Sequence, residues 1–320
     1  MLNTLLFVLT LIGASLCIGA EVYPSKPVRV IVPYGPGGNT DIAARVISQQ
    51  LSEQLGKSFV VDNRAGATGT IGTGIVARSA PDGYTLSMAD TSWSIVPGLY
   101  KSLAYDVTRD FTPITQIMRV PNALVVSPSP NVTTLREFIA LAQANPGKFN
   151  FASSGTGSLN HLMPELFKKA AKVDIVHIPY KGAGETITAL LGGQVQMLIS
   201  PVLPVLAHIK SGRMRALAVT TDGKRVPTMP DVPSMSEAGV PGLTIYYWAG
   251  LAGPAGMPKE VVNKLHGEAV KALAAPIVMD QFIAMSAELV GSRPEEFSRF
   301  IRIELRRWAE AIKSAGITPE

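Results

Sequence analysis

Three glycine-rich tracts carry the residues of this chain best placed to do chemistry. They are YGPGGNTD at residues 34–41, SSGTGSLNH at residues 153–161 and KGAGET at residues 181–186. Each follows a run rich in β-branched or aromatic residues and precedes a helical pattern. Glycine at such a turn lets something approach the backbone closely, and the helix beyond it begins with unpaired N–H groups that suit an anion. A nucleotide phosphate and a carboxylate are both candidates. Any one tract alone is equally an ordinary turn between strand and helix. Three together suggest helix N-termini converging on one cleft, a way for an uncharged surface to hold an anion.

The nucleotide reading fails on detail. Gly35, Gly37 and Gly38 begin like a dinucleotide fingerprint, and Asp62 stands where a ribose-binding acid would be expected. Pro36 interrupts the first two glycines, however, and the third glycine position is Thr40. No Gly-Lys-Ser or Gly-Lys-Thr is present to make a phosphate-gripping P-loop. A hydrolase would use a serine and a histidine, and Ser153, Ser154, Ser158 and His161 lie close together. The Gly-x-Ser-x-Gly elbow is absent, and Ser158, three residues before His161, reads more simply as an N-cap. The four histidines, His161, His177, His208 and His266, lack metal-ligand spacing, so no metal is expected. His177, inside an apolar strand, reads as a satisfied core residue.

Residues 1–20 hold an apolar run over residues 5–12, then small residues ending in Ala20 ahead of Glu21. This predicts an export signal cleaved near Ala20/Glu21, with the terminal amine as its only positive charge. The one cysteine, Cys17, lies within it, so the mature chain is expected to lack disulfides, thiol catalysis and cysteine-held metals. Leu16 before it argues against a lipid-attachment site. The 320 residues leave room for two domains, and no later apolar run has the roughly 18 residues of a membrane span. The formal charge of +5 is thinly spread. Arg299, Arg302, Arg306 and Arg307 alternate at helical spacing with Phe297, Phe300, Ile301, Leu305 and Trp308, which predicts the wet face of an amphipathic helix rather than a nucleic-acid patch.

The elements that must position the tracts alternate. VRVIVPY predicts a strand, and residues 40–55 a helix with Ala43, Ile47, Leu51 and Leu55 on one stripe and Gly56 as its stop. SFVVDN, YTLSMAD, NALVVSP, FNFASS, VDIVHIPY, VQMLIS and MRALAVTT predict further strands, separated by helical patterns such as LREFIALAQA and ETITALLGG. The alternation predicts parallel sheets of βαβ units, with functional loops at the carboxyl ends of the strands. Asn39 and Thr40 read as polar caps of the first helix, and Asp41 as a cap of its first turn rather than a ligand contact. Lys181 reads equally as a cationic partner for an anion or as a solvated turn residue.

The tracts VRVIVPYGPGGNTDIAAR, VVDNRAGATGTIGTGIVARSAPDGYTL, YDVTRDFTPITQI, FASSGTGSLNH, VHIPYKGAGETITALLGGQVQM, RALAVTT and RVPTMPDVPSMSEAGVPG follow in order. Together they resemble the solute receptors of tripartite tricarboxylate transporters, the Bug family, over nearly the whole mature chain. The resemblance implies a periplasmic α/β binding protein of two lobes, of the type 2-like Venus flytrap kind, with crossover segments between them. It implies no enzyme activity and no cofactor, a small carboxylate as ligand, integral-membrane transporter subunits as partners, no nucleic acid, and a monomer. The expected partition is residues 21–121 with 248–320 in one lobe and residues 122–247 in the other. The family's first ligand loop falls on Tyr34, Gly38, Asn39, Thr40 and Asp41, with N–H groups around Gly38 and Asn39 facing the carboxylate, partly through water. The second falls on Ser153, Ser154, Gly155, Thr156, Gly157 and Ser158, with His161 just beyond. The PYKG turn supplies Lys181, Gly182 and Ala183, and Ala67 and Thr68 are implied neighbours. Where many relatives carry Asp or Asn after the QVQ strand, this chain has Ile199 and then Ser200. That position often meets the distal end of the ligand, so the particular ligand does not follow from the resemblance.

Overall fold

The computed structural model describes residues 22–128 and 131–319; the expected export signal over residues 1–20 and its expected cleavage near Ala20/Glu21 lie outside the described residues. Strand β1 (Val28–Val32) lies between β2 (Phe59–Asn63) and β3 (Thr85–Asp90), parallel to both. Helix α1 (Asn39–Leu55) buries Ala43, Ile47 and Leu51 against this sheet, and Gly56 ends it in the left-handed region at φ 65°. A tight turn over Ala67–Gly69 leads into α2 (Thr70–Ala77), and α3 (Ser92–Ile95) follows β3. Gly72 is needed for close approach: a Cβ there would stand 2.9 Å from the Arg64 carbonyl oxygen and from Pro33 Cα.

The second parallel unit pairs β5 (Phe149–Ser153) with β6 (Ile175–Pro179) and with β7 (Met197–Pro201). Helices α4 (Leu135–Ala144), α5 (Leu159–Ala171), α6 (Ala183–Leu191) and α7 (Val202–Lys210) connect its strands, and β8 (Arg215–Val219) lies beside it. Two long strands join the units. β4 (Phe111–Val126) pairs with β9 (Tyr246–Pro254) through Pro121, and from Asn122 onward with β7 and β8. All three pairings are antiparallel, as is that of β3 with β9, so the expectation of wholly parallel sheets is corrected. The reason is directional: a strand that leaves one unit and a strand that returns to it run opposite ways. The polar and proline residues in β4, Thr112, Pro113, Pro121 and Asn122, broke the apolar signal that would have revealed it. The result is a two-lobed α/β fold.

Four buried clusters build the interior, two around each parallel unit. Beyond α8 (Lys259–Leu273), α9 (Pro276–Ala284) and β10 (Glu288–Leu289), the C-terminal α10 (Pro294–Ser314) reaches two of them. Phe297 and Ile301 pack with Trp248 and Ile31, while Trp308, Ala311 and Ile312 pack with Phe138, Phe151 and Leu162. Its Arg299, Arg302 and Arg306 are exposed, as the amphipathic reading predicted, whereas Arg307 is half-buried, paired with the buried Glu304 at 2.7 Å and donating to the Thr244 carbonyl at 3.1 Å.

Candidate functional site

The first glycine tract folds back on its own helix. Gly38 is the N-cap of α1 in extended backbone, φ −80° and ψ 168°, and no side chain caps the helix. Asn39 and Thr40 are therefore the first helical residues and not caps. Asp41, at the third helical position, reaches back to accept the Gly37 N–H at 2.9 Å, and also accepts Asn63 Nδ2 and Arg45 Nε, each at 2.9 Å. Asn63 Nδ2 donates to the Tyr34 carbonyl as well, so the tip of β2 clamps both ends of the tract. Burial alone would raise the Asp41 carboxyl, but the bonds from Arg45, Gly37 and Asn63 outweigh it and hold the group below the usual carboxylate range. Only 2% exposed, Asp41 works as a loop fastener. Among the described residues the N–H groups of Gly38, Asn39 and Thr40 have no acceptor in the protein. They are the orphan donors of a helix start.

Behind them lies a buried polar cluster. Asp90, at the carboxyl end of β3, accepts the Tyr34 hydroxyl at 3.2 Å, the Thr40 hydroxyl at 3.1 Å, the Ser92 N–H at 3.0 Å and the Ser92 hydroxyl at 2.6 Å. Tyr247 on β9 reaches the same carboxylate at 3.3 Å and bonds the Thr40 hydroxyl. Desolvation raises the pKa of Asp90, and with the nearby carboxylate it raises those of Tyr34 and Tyr247. Ala67 and Thr68 are exposed in the adjoining turn, both at positive φ, 46° and 53°, between Gly66 and Gly69. A run of four left-handed residues with two bearing a Cβ is strained backbone of the kind concentrated at binding sites. Tyr34 packs on Gly69, where a Cβ would stand 3.2 Å from its hydroxyl oxygen.

The second tract is held by the first turn of α5. Asn160 Oδ1 accepts the Ser154 N–H at 3.0 Å, the Ser154 hydroxyl at 2.8 Å and the Ser158 hydroxyl at 2.8 Å. Ser158 occupies the N-cap position, but its single hydroxyl hydrogen is shared between Asn160 Oδ1 and the Gly155 carbonyl, 2.6 Å away, instead of the hydroxyl capping the helix, which corrects its expected role. Gly157 donates its N–H to His161 Nδ1 at 3.0 Å. The N–H groups of Ser154 and Gly157 are thereby engaged internally, whereas that of Thr156 has no acceptor among the described residues. Gly155 and Gly157 take positive φ, 114° and 79°, and a Cβ on Gly157 would stand 2.7 Å from Leu99 Cδ1.

His177 was read as core but stands half-buried beside this tract, 3.8 Å from His161 in a parallel ring stack and 2.5 Å from the Ser153 hydroxyl through Nε2. Ser153 Oγ also donates to the Gly155 carbonyl at 3.1 Å and accepts the Gly155 N–H at 3.2 Å. These bonds are satisfied together when His177 carries its proton on Nε2. Burial pushes both imidazoles down to about 4, so both are neutral near pH 7.

The turn after β6 joins the same group, since the Tyr180 N–H donates to the Ser153 carbonyl at 2.8 Å. Lys181 is exposed, and its N–H donates to Glu185 at 3.1 Å; Gly182 is the N-cap of α6 and Ala183 its first residue. Ser200, 6% exposed on β7 opposite Ala123, bonds the Pro201 carbonyl. Asp62, weighed as a ribose acid, pairs with Arg29 and Arg64. The structure therefore ties Tyr34, Thr40 and Asp41 into one group and Ser153 to His161 with the Lys181 turn into another. The sequence reading missed Asn63, Asp90, Asn160 and Tyr247, and misassigned His177. The available signal was position, since Asn63 and Asp90 each end a strand of a parallel unit.

A two-lobed α/β fold with helix N-termini opening from glycine loops is an architecture that can close on a small solute. The comparisons give the family. Residues 43–317 match the tripartite tricarboxylate transporter family receptor, and the chain belongs to that family. It is 38% identical to Protein BugT of Bordetella pertussis, over 95% of this chain and 94% of that protein. Among solved structures it is similar to R. palustris Rpa4515 with adipate, at TM-score 0.81 and 36% identity over 93% of this chain and 100% of the other. MatC from Rhodopseudomonas palustris with bound malate gives TM-score 0.77 and 30% identity over 91% and 100% of the two chains.

Proposed function

We propose that this protein is a periplasmic receptor that captures a small carboxylate between its lobes and delivers it to the membrane subunits of a tripartite tricarboxylate-type transporter. The observation that carries the reading is the open start of α1, where the N–H groups of Gly38, Asn39 and Thr40 have no acceptor among the described residues. Neither residues 34–41 nor residues 153–161 contain a Lys or Arg. A carboxylate gripped there is held by N–H groups, hydroxyls and helix ends. The ligand-bearing relatives, one with adipate and one with malate, support the ligand class. In this reading residues 21–121 and 248–320 form one lobe and residues 122–247 the other, with α10 bracing both. Ala67, Thr68, Thr156, Gly182 and Ser200 line the cleft. Residues 1–20 direct export and are removed near Glu21, and the mature protein acts as a monomer with no cofactor and no catalytic turnover.

An exported enzyme acting on a small acid is favoured by one feature, the short contact of Ser153 with His177. Yet Ser153 is fully buried and its hydroxyl is held in the loop by Gly155, out of reach of a substrate. The test is a thermal-shift and calorimetric screen of mono-, di- and tricarboxylates, aromatic acids and acidic amino acids. A receptor shows a raised midpoint and saturable binding with the ligand recovered unchanged after long incubation. Chemical conversion of the acid, or no binding across the panel, overturns the reading.

A further inference from the structure

Asp90 is a carboxylate 3% exposed in the floor behind the α1 N-terminus, and the receptor reading leaves it without a task. Its neighbours come from four directions: Tyr34 from the loop after β1, Thr40 from α1, Ser92 from α3 and Tyr247 from β9. The titratable groups facing it are the phenols Tyr34 and Tyr247, with Tyr105 farther off. No Lys, Arg or His among the described residues is hydrogen-bonded to it or paired with it. A structural acid of this burial usually has a cationic partner. This one has hydroxyls and one N–H, and through Thr40 it lies one side chain away from N–H groups that have no acceptor.

We infer that Asp90 is a positioning residue of the anion site, and that capture of a carboxylate at the α1 N-terminus is accompanied by uptake of one proton from solvent at Asp90. The inference rests on the receptor reading. With Asp90 ionised, the Tyr34 and Thr40 hydroxyls point their hydrogens at it and offer the cleft only lone pairs, which repel a carboxylate. A second negative charge arriving nearby in a site closed to water disfavours the ionised Asp90 further. Protonation removes that repulsion and frees a hydroxyl hydrogen to turn toward the ligand. The balance is simple: ionised Asp90, one solvent proton and a carboxylate give protonated Asp90 and bound carboxylate, with no bond broken in the ligand. The raised pKa of Asp90 agrees with this direction. Ligand raises it again, so binding is tightest below the free-state value, weakens as pH rises through the interval up to the bound-state value, and is level above it.

The test is calorimetry of the purified protein with adipate and with malate between pH 6.5 and 9, in buffers of different ionisation enthalpy. Both carboxyls of each acid are largely ionised there, and the small fraction still protonated at the lower end is set by titrating the free acids in the same buffers. His161 and His177, pushed down to about 4, are poor rivals for the proton in that range. The expected result is uptake of up to one proton per ligand, with affinity falling by up to about tenfold per pH unit across the interval. Asp90→Asn keeps the shape, and its expected proton count is zero with a level pH profile. Should that variant not fold, Tyr34→Phe removes one donor from the carboxylate and shifts the interval upward. Proton-neutral binding in the unaltered protein, uptake retained in Asp90→Asn, or an unmoved interval in Tyr34→Phe overturns the inference alone. Failure of the unaltered protein to bind any carboxylate overturns the receptor reading and the inference with it.

Discussion

At Gly38 the backbone has φ −80° and a Cβ would meet nothing within 4 Å. Gly38→Val is therefore expected to fold with little change in melting midpoint while its methyl groups crowd the open N–H groups of α1. A charge-assisted hydrogen bond is worth about 1.5 to 3 kcal/mol, so calorimetry should show roughly a tenfold or greater loss of affinity. Gly157→Val separates the two effects, because that residue has φ +79° and Leu99 in the way; its first consequence should be a lower melting midpoint. Lys181→Ala, at an exposed turn, should bind almost as well as the unaltered protein, and loss of binding in that variant alone would place a side-chain cation at the centre of the site. A pH prediction belongs to the same scale. His161 and His177 have pKa values near 4 in the folded chain against about 6.5 when unfolded. Between those values the unfolded state takes up protons that the native stack refuses, so their contribution to stability is complete above about 6.5 and declines as pH falls toward 4. Melting curves over that range should show a steep fall in the unaltered protein and a shallower one in His177→Asn. The residue types of the candidate site, glycine, serine, threonine and asparagine, were legible in the sequence because they cluster in short tracts. Asp90, Asn63 and His177 were not, since each is a single residue of a strand that only sheet pairing brings alongside a loop.

Among elements, the strand and helix alternation was readable because α1, α4 and α5 each carry an apolar stripe and because Gly56 closes α1 in the left-handed region. The crossing strands were not. In β4 the ladder slips near Pro113 and again between Gln116 and Met118, and these irregularities break the alternation by which a strand is recognised. Its length is visible only in the pairing, first with β9 and then with β7 and β8. The amphipathic reading of α10 gave its wet face at Arg299, Arg302 and Arg306, but not the half-buried Arg307 or the helix's reach. Phe297 presses on Gly250 so closely that a Cβ there would stand 2.4 Å from its ring, while Trp308 at the other end is wholly buried with Phe151 and Leu162. One helix thus fastens a core on each side of the crossing strands. Trp308→Ala removes the far fastening and leaves a cavity, and about 3 to 5 kcal/mol of destabilisation is expected in chemical denaturation. Phe300→Ala, at a half-buried position on the same helix, should cost clearly less, and equal costs would mean that α10 does not tie the second core.

For the whole molecule, the switch of β4 partners between Pro121 and Asn122 and the return through Tyr247 on β9 put both connections at one level of the fold. In the two-lobe reading, connections so placed make a hinge the expected motion, with bending confined to the crossing strands and to α10, which packs into a core on each side of them. Closure would bring the open N–H groups of α1 and the loop of Thr156 toward the same anion and expel water from around it. Two measurements then go together. Small-angle scattering should show a smaller radius of gyration at saturating carboxylate than without it. Affinity should also weaken only severalfold as salt rises, because screening over roughly 8 Å at physiological ionic strength acts on exposed charges and reaches enclosed dipoles poorly. A protein that bound carboxylate through surface lysines would behave in the opposite way, with an unchanged profile and a steep loss of affinity in salt. Finding that pair of results would remove the closing cleft from the account even if binding itself were strong.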